Sequence, residues 1–439
     1  MQYGWTAPVI PILESADTPV QIQKSDVVWI ENSYLLGSFA GLPFIIYSLN
    51  KFGRKNSILI AAVQNLISWI LTAFATSVEV LYVARVIQGF SCNAAFVSAP
   101  MYIAEIADEK IRGFLGAWVY LMMLIGIIVV YSVAPFVSIA ISSLVGGIFV
   151  IIQLVTFPFM PDSPYYLLLE DKVDAAKKSL QRLRSSEDVE TELKEIEAAV
   201  VRQKSERGKL MDLFIVDSNR KAMLIMTVLN GSQHFSSISV MIMNLHTILG
   251  DAASMLEPSA AAIIFSVIML AAATISSFVI DRTGKKILLS SSSFLTGISL
   301  TVLAIYFAVK NSGVDVASYS WVPVVTVMIY AGVFKYGLGM VPIVTTGELF
   351  PTSVKAMGMT FADAMYDIFA VISIYLYKFL ADEYGMHVPF IVFAITCFLT
   401  TAFVSYYIPE TKGKTLEEIQ FMLKGKKYVR GQRNVSVNP

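Results

Sequence analysis

Cysteine, histidine and charge are all scarce: the 439 residues include two Cys, three His and 15% charged side chains, against 56% hydrophobic ones. Cys92 and Cys397 both lie inside apolar runs, so a disulfide framework is excluded and both read as packing residues. A soluble domain carries about 25% charged residues, so a water-soluble globule is excluded as well. Lys plus Arg and Asp plus Glu balance at 33 each, which leaves no bulk charge for nucleic acid or a polyacidic partner. No Gly-rich phosphate loop, metal-ligand spacing or nucleophile triad stands out. An enzyme, a resident metal and a cofactor therefore have no support in the sequence.

What the chain has in quantity is apolar length. A helical crossing needs about 20 mostly apolar residues, and that criterion gives spans near 28–50, 57–77, 80–104, 113–134, 140–160, 220–248, 259–280, 287–309, 322–347, 357–380 and 388–408. The chain thus reads as an all-α membrane protein. Residues 1–13, with Gly4-Trp5-Thr6-Ala7-Pro8, look like the outer end of one more helix. They are too short to cross and lack the basic start of a signal peptide. The expectation is a truncated first helix, whether from an incomplete gene model or from a variant start.

Lys and Arg concentrate in alternate connections: Lys51, Arg54 and Lys55; Lys110 and Arg112; a long run between 161 and 222; Arg282, Lys285 and Lys286; Lys355; and the C-terminal tail. The opposite connections hold only Lys24, Lys310 and Lys378. By the positive-inside bias, the loops after helices 2, 4, 6, 8 and 10 and the C-terminus are cytoplasmic. The charged stretch from Pro161 to Arg220 carries Leu180, Leu183, Leu193 and Ile196 at spacings of three, the pattern of short amphipathic helices lying under the membrane. It divides the chain into residues 1–160, an intracellular helical linker 161–219, residues 220–408 and a tail 409–439.

The two halves repeat the same punctuation. Asn50-Lys51-Phe52-Gly53-Arg54-Lys55 follows the second span and Asp281-Arg282-Thr283-Gly284-Lys285-Lys286 the eighth. Tyr102, Glu105 and Arg112 leave the fourth; Gly347, Glu348, Pro351 and Lys355 leave the tenth. Pro161-Asp162-Ser163-Pro164 ends the sixth and Pro409-Glu410-Thr411-Lys412 the twelfth. Such a duplication points to a transporter. The basic groups at Arg54, Lys55, Arg112, Arg282, Lys285 and Lys355 are within range of carboxylates such as Glu105, Asp162, Asp281, Glu348 and Glu410. Breakable pairs there would bias a two-state rocking equilibrium. The competing reading of any one motif is a positive-inside anchor beside a helix cap.

On these motifs the sequence resembles the sugar porters of the major facilitator superfamily over nearly its whole length. Pro409 to Ile419 matches the closing motif of that family. Pro161-Asp162-Ser163-Pro164-Tyr165-Tyr166-Leu167-Leu168, with Gly4 to Pro8, is most similar to the insect facilitated trehalose transporters. The resemblance implies two six-helix bundles, with the first helix truncated here so that about 11 spans are complete. It implies an intracellular helical domain, a plasma-membrane location, a small sugar as partner besides the lipid bilayer, and alternating access. It also implies a sugar site built from a Gln-Gln pair and an Asn on the seventh span, with groups from the fifth, eighth, tenth and eleventh.

Here the match fails. The seventh span reads Gln233-His234-Phe235-Ser236-Ser237-Ile238-Ser239, Tyr120 stands for a Gln, Met269 for an Asn and Ile343 for a Trp. Each lost amide removes hydrogen bonds of about 0.5–1.5 kcal/mol net. Gln233, His234, Ser236, Ser239, Asn244 and Tyr120 are left as a candidate polar wall. For His234 a hydrogen-bonded helix residue is favoured over substrate contact, and His246 and His387 are expected in water at the outer surface.

Ionisable residues inside spans are costly unless paired. Arg85 is read as snorkelling to the interface in preference to pairing with Glu31, and Lys335, if its span lies beside the eleventh, could pair with Asp367, near Asp363, as a helix lock in preference to a proton carrier. Three functions stay open: a facilitative transporter of trehalose, glucose or a related sugar; a proton-coupled or altered-substrate transporter of the same fold; and a non-transporting sensor or degenerate paralogue.

Overall fold

The computed structural model describes residues 1–15, 18, 20–107, 109–205, 209, 211–252, 257–351, 354–410 and 416–423. Its helices, in chain order, are α1 (Thr6–Leu13), α2 (Lys24–Ala73), α3 (Val78–Asn93), α4 (Ala99–Ile106), α5 (Glu109–Val133), α6 (Ile139–Thr156), α7 (Pro164–Leu169), α8 (Val173–Arg184), α9 (Glu190–Ser205), α10 (Asp212–Ile215), α11 (Asp217–His234), α12 (Ile238–Ala252), α13 (Pro258–Thr283), α14 (Lys285–Asn311), α15 (Trp321–Tyr336), α16 (Val341–Leu349), α17 (Lys355–Tyr384), α18 (His387–Tyr407) and α19 (Leu416–Leu423). Among the described residues, nine helical stretches are long and apolar enough to cross a membrane.

Two features separate that number from the hydropathy reading. Residues 28–50 and 57–77 are expected as two spans, and helical backbone runs unbroken through both except at Gly53, with φ 81° and ψ 177°. At 1.5 Å per residue the 50 residues of α2 would extend ~75 Å, more than twice the ~30 Å of a hydrocarbon core. The reversal at Gly53 folds α2 back on itself. Gly284, with φ 97°, turns α13 into α14 in the same way. Both turns require glycine, because a Cβ at Gly53 would also lie 2.4 Å from the Tyr166 ring and one at Gly284 2.8 Å from a Glu410 oxygen. The second feature is the stretch expected as one span at 220–248, which is divided into α11 and α12 by non-helical residues 235–237.

The helices are inside-out relative to those of a soluble protein. α6 buries Ser142, Ser143, Gly146 and Gly147 and turns Ile141, Leu144, Ile148, Phe149 and Ile152 outward. α14 likewise buries Ser292, Ser293, Thr296 and Gly297 and exposes Phe294, Leu295, Ile298 and Ile305. Small residues allow close helix approach where lipid supplies no hydrophobic drive between helices, and the apolar side chains face the lipid.

The packing repeats with the sequence. α2 packs on α3 and α6 in the first half; α14 packs on α15 and α18, and α13 on α15, in the second. Between halves, α2 packs on α17 and α5 on α13, an exchange of equivalent positions, while α1 meets α12.

Between the halves, α7, α8 and α9 build a small unit around Leu168, Ala176, Leu180, Leu193 and Ile196. Leu180, Leu193 and Ile196 are thus where the spacing places them; Leu183 stays half-buried at the edge. Arg184 ties the unit down, pairing with Glu192 at 2.7 Å and donating to the Ile106 carbonyl at the end of α4 at 3.0 Å.

Candidate functional site

The basic end of the molecule carries the first repeated motif as a closed set of contacts. Gly53 turns the chain so that Arg54 points back at α4, where it pairs with Glu105 through Nε at 2.9 Å and an Nη at 2.8 Å. Ser163 caps α7 by accepting from the Tyr166 amide at 3.2 Å and donates its hydroxyl to the other Glu105 oxygen. The Arg54 guanidinium lies 5.3 Å from the centre of the Tyr166 ring, and the Tyr166 hydroxyl donates to the Lys51 carbonyl at 3.2 Å. Burial raises the Tyr166 phenol above its ordinary value. Glu105 therefore joins α2, α4 and the linker unit.

The second-half counterpart centres on Glu410. Glu410 accepts from the backbone amides of Lys285 at 3.2 Å and Lys286 at 3.1 Å, so it caps the first turn of α14, whose partial positive charge favours a carboxylate. Asp162 offers its backbone carbonyl to Ser179, and neither its carboxylate nor Lys55 makes an ion pair among the described residues. The side chains of Arg112, Asp281, Glu348 and Lys355 lie outside the described residues.

In the interior, the α11–α12 break gathers the candidate wall. Ser237 takes φ 77°, which frees the chain to turn between the two helices. Gln233 donates to the Leu338 carbonyl at 2.9 Å, His234 Nδ1 lies 2.7 Å from Ser239 Oγ, and Ser236 donates to the Gln233 carbonyl at 2.6 Å. Tyr3 from α1's lead-in meets Ser239 at 2.9 Å, and Tyr366 of α17 stands edge-on to His234 with ring centres 4.1 Å apart. His234 is hydrogen-bonded as expected, and its Nε2 has no partner among the described residues. Tyr3 escapes a sequence reading because no local pattern links it to Ser239, 236 residues away. Tyr120 belongs to a different wall, described below. Met269 is buried and offers no polar group, and Ile343 is 47% exposed.

Neither candidate intramembrane pairing is formed. Lys335 does not meet Asp367: Lys335 donates to the Tyr120 hydroxyl, on the α5–α13–α15 side, whereas Asp367 faces Ser38 where α17 packs on α2. The two residues project from different helices toward different neighbours in the other half. Arg85 does not bridge to Glu31. It is fully buried and donates to the carbonyls of Gln2 at 2.8 Å and Ile30 at 3.2 Å and to Gln88 Oε1 at 2.9 Å, with its guanidinium 4.6 Å from the Tyr34 ring. Snorkelling is excluded by that burial. Glu31 instead approaches Asn244, which sits at a kink in α12. His246 also departs from expectation. It is 7% exposed and stands edge-on to Tyr131 at 5.7 Å, because α12 leans on the first half rather than toward water.

The end opposite Gly53 is closed between halves. Tyr131 of α5 donates to the Ile242 carbonyl of α12, and Tyr34 and Leu35 of α2 pack with Met243, Ala370 and Ile374.

Comparison with known proteins gives the same picture. Residues 10–423 match the family model described as "Sugar (and other) transporter". The facilitated trehalose transporter of Polypedilum vanderplanki is 30% identical over 96% of this chain and 84% of its own length; that of Culex quinquefasciatus is 32% identical over 96% and 82%. The Aedes aegypti transporter is 33% identical, and the chain spans 53% of it. Among solved structures, the xylose transporter XylE from E. coli in a partially occluded inward-open conformation superposes with a TM-score of 0.78 at 21% identity, over 94% of this chain and 95% of that one. The duplicated bundles, the repeated loop motifs and the matched span make this chain a member of the sugar transporter family of the major facilitator superfamily.

Proposed function

We propose that the chain is a facilitative sugar transporter of the plasma membrane, moving trehalose, glucose or a related sugar by alternating access. The observation that carries this reading is the α11–α12 break: a buried patch of amide, imidazole and hydroxyl groups, supplied by both halves. Polyhydroxylated solutes are recognised by such groups, and a buried polar atom such as His234 Nε2, without a partner among the described residues, is costly away from water unless a ligand meets it. Residues 1–160 and 220–408 act as the two moving bodies, 161–219 lies on the cytoplasmic side with the basic loops, and 409–439 follows as a tail. Splitting α2 at Gly53 and joining α11 to α12 yields eleven crossings. In this arrangement the outer door is shut by Tyr131, Tyr34 and Leu35, and the Arg54–Glu105 clasp rests within the first half.

The test is uptake of labelled trehalose and glucose into proteoliposomes. The expected result is saturable flux that is unaffected by collapsing a pH gradient and reduced about tenfold in Gln233→Ala, the loss of one or two buried hydrogen bonds. Flux that vanishes with the gradient would replace facilitation by proton coupling.

A further inference from the structure

We propose that Lys335 and Tyr120 recognise an anionic group on the transported solute, so that the chain carries a sugar acid such as a hexuronate. This rests on the sugar-transport reading and narrows the substrate class.

Lys335 occupies the last turn of α15 and is 3% exposed. A buried ammonium costs several kcal/mol unless its charge is met, and two other buried cations have more partners: Arg85 three oxygen acceptors, Arg54 a carboxylate. Lys335 has one acceptor among the described residues, the neutral Tyr120 hydroxyl, with the Tyr120 and Phe334 rings 4.6 and 5.4 Å away. Cation–π contact of this kind returns about 2 kcal/mol when desolvated, less than the cost. No carboxylate lies within 4.0 Å among the described residues. The intramembrane acids do not serve: Asp367 is turned to Ser38 on the α2 side, and Asp363 neighbours Asp367.

Position ties this cation to the sugar patch. Gln233 donates to the Leu338 carbonyl, three residues beyond Lys335, in the non-helical stretch joining α15 to α16. The amide and the ammonium therefore border the same stretch of chain. A solute whose hydroxyls engage Gln233, His234 and Ser239 can direct a carboxylate toward Lys335, where a charge-assisted hydrogen bond is about twice as strong as a neutral one. Tyr120 belongs to the other half and is only half-buried. Anion recognition at this couple thus draws on both moving bodies.

The test uses the full chain in proteoliposomes, with labelled glucuronate and labelled glucose measured side by side under a potassium–valinomycin potential. Expected are saturable glucuronate uptake that an inside-positive potential stimulates, and a loss of about tenfold in Lys335→Met with glucose uptake changed by less than about threefold, as removal of one charge-assisted contact requires. Lys335→Arg retains glucuronate uptake, and Tyr120→Phe lowers it without abolishing it. Thermal unfolding of each variant serves as the control for folding. Glucose flux with no glucuronate uptake or competition overturns the inference and leaves the transport reading in place. Equal loss of both fluxes in Lys335→Met also overturns it, assigning the lysine to packing. Absence of flux for every sugar, with the protein folded, overturns the transport reading itself.

Discussion

Arg54 and Glu105 are enclosed enough to matter and open enough to break, with side-chain exposures of 8% and 13%. Burying a pair costs desolvation, while removing one partner leaves a charge uncompensated. Glu105→Gln is therefore expected to destabilise the present conformation by about 1–3 kcal/mol and to slow the transport cycle. A cycle of Arg54→Gln, Glu105→Gln and the double variant, read by thermal midpoint, will show coupling if the contact is real and simple additivity if it is not. Gly53→Ala is expected to cost about 2 kcal/mol or more, since it combines a strained φ with a clash against Tyr166; an unchanged midpoint would contradict the turn. These residues were legible in the sequence because their motif is local and repeated. The Tyr3–Ser239–His234 chain was not, because it joins positions 236 residues apart and no local pattern encodes that distance. The Lys335–Asp367 expectation failed for a related reason: intramembrane charges announce themselves in the sequence, but the helix face that each occupies does not.

At the scale of elements, hydropathy located the apolar stretches and missed how they are joined or broken. α2 reads as two spans because Asn50 to Lys55 is polar, yet helical backbone persists on both sides of a single reversed glycine. The break after α11 is hidden because neither proline nor glycine marks it; Ser237 takes the positive φ instead. Glu410, read as a gate acid, also caps the first turn of α14 through two backbone amides, a contact that no sequence motif announces. Glu410→Ala is accordingly expected to cost about 1 kcal/mol, lowering the thermal midpoint, whereas Glu410→Gln, which still accepts a hydrogen bond, is expected to lose less. Equal losses in the two variants would point to a charge pair in place of a cap.

For the whole molecule, the proposed rocking must shift the α2–α17 and α5–α13 contacts between halves, and the Tyr131–Ile242 bond closes the end opposite Gly53. Tyr131→Phe removes a bond of about 0.5–1.5 kcal/mol and should shift the equilibrium roughly two- to tenfold toward opening at that end, seen as faster thiol labelling of a cysteine at His246. In the proposed cycle the two ends open in turn around the α11–α12 break. The most direct measurement is a pair of spin-label distances on a background lacking Cys92 and Cys397, one between Thr76 and Asn311 and the other between Asn56 and Ile287, with and without transported sugar. Reciprocal change, one distance lengthening as the other shortens, is the predicted result. Two distances that stay fixed while sugar crosses, or that lengthen together, would contradict it.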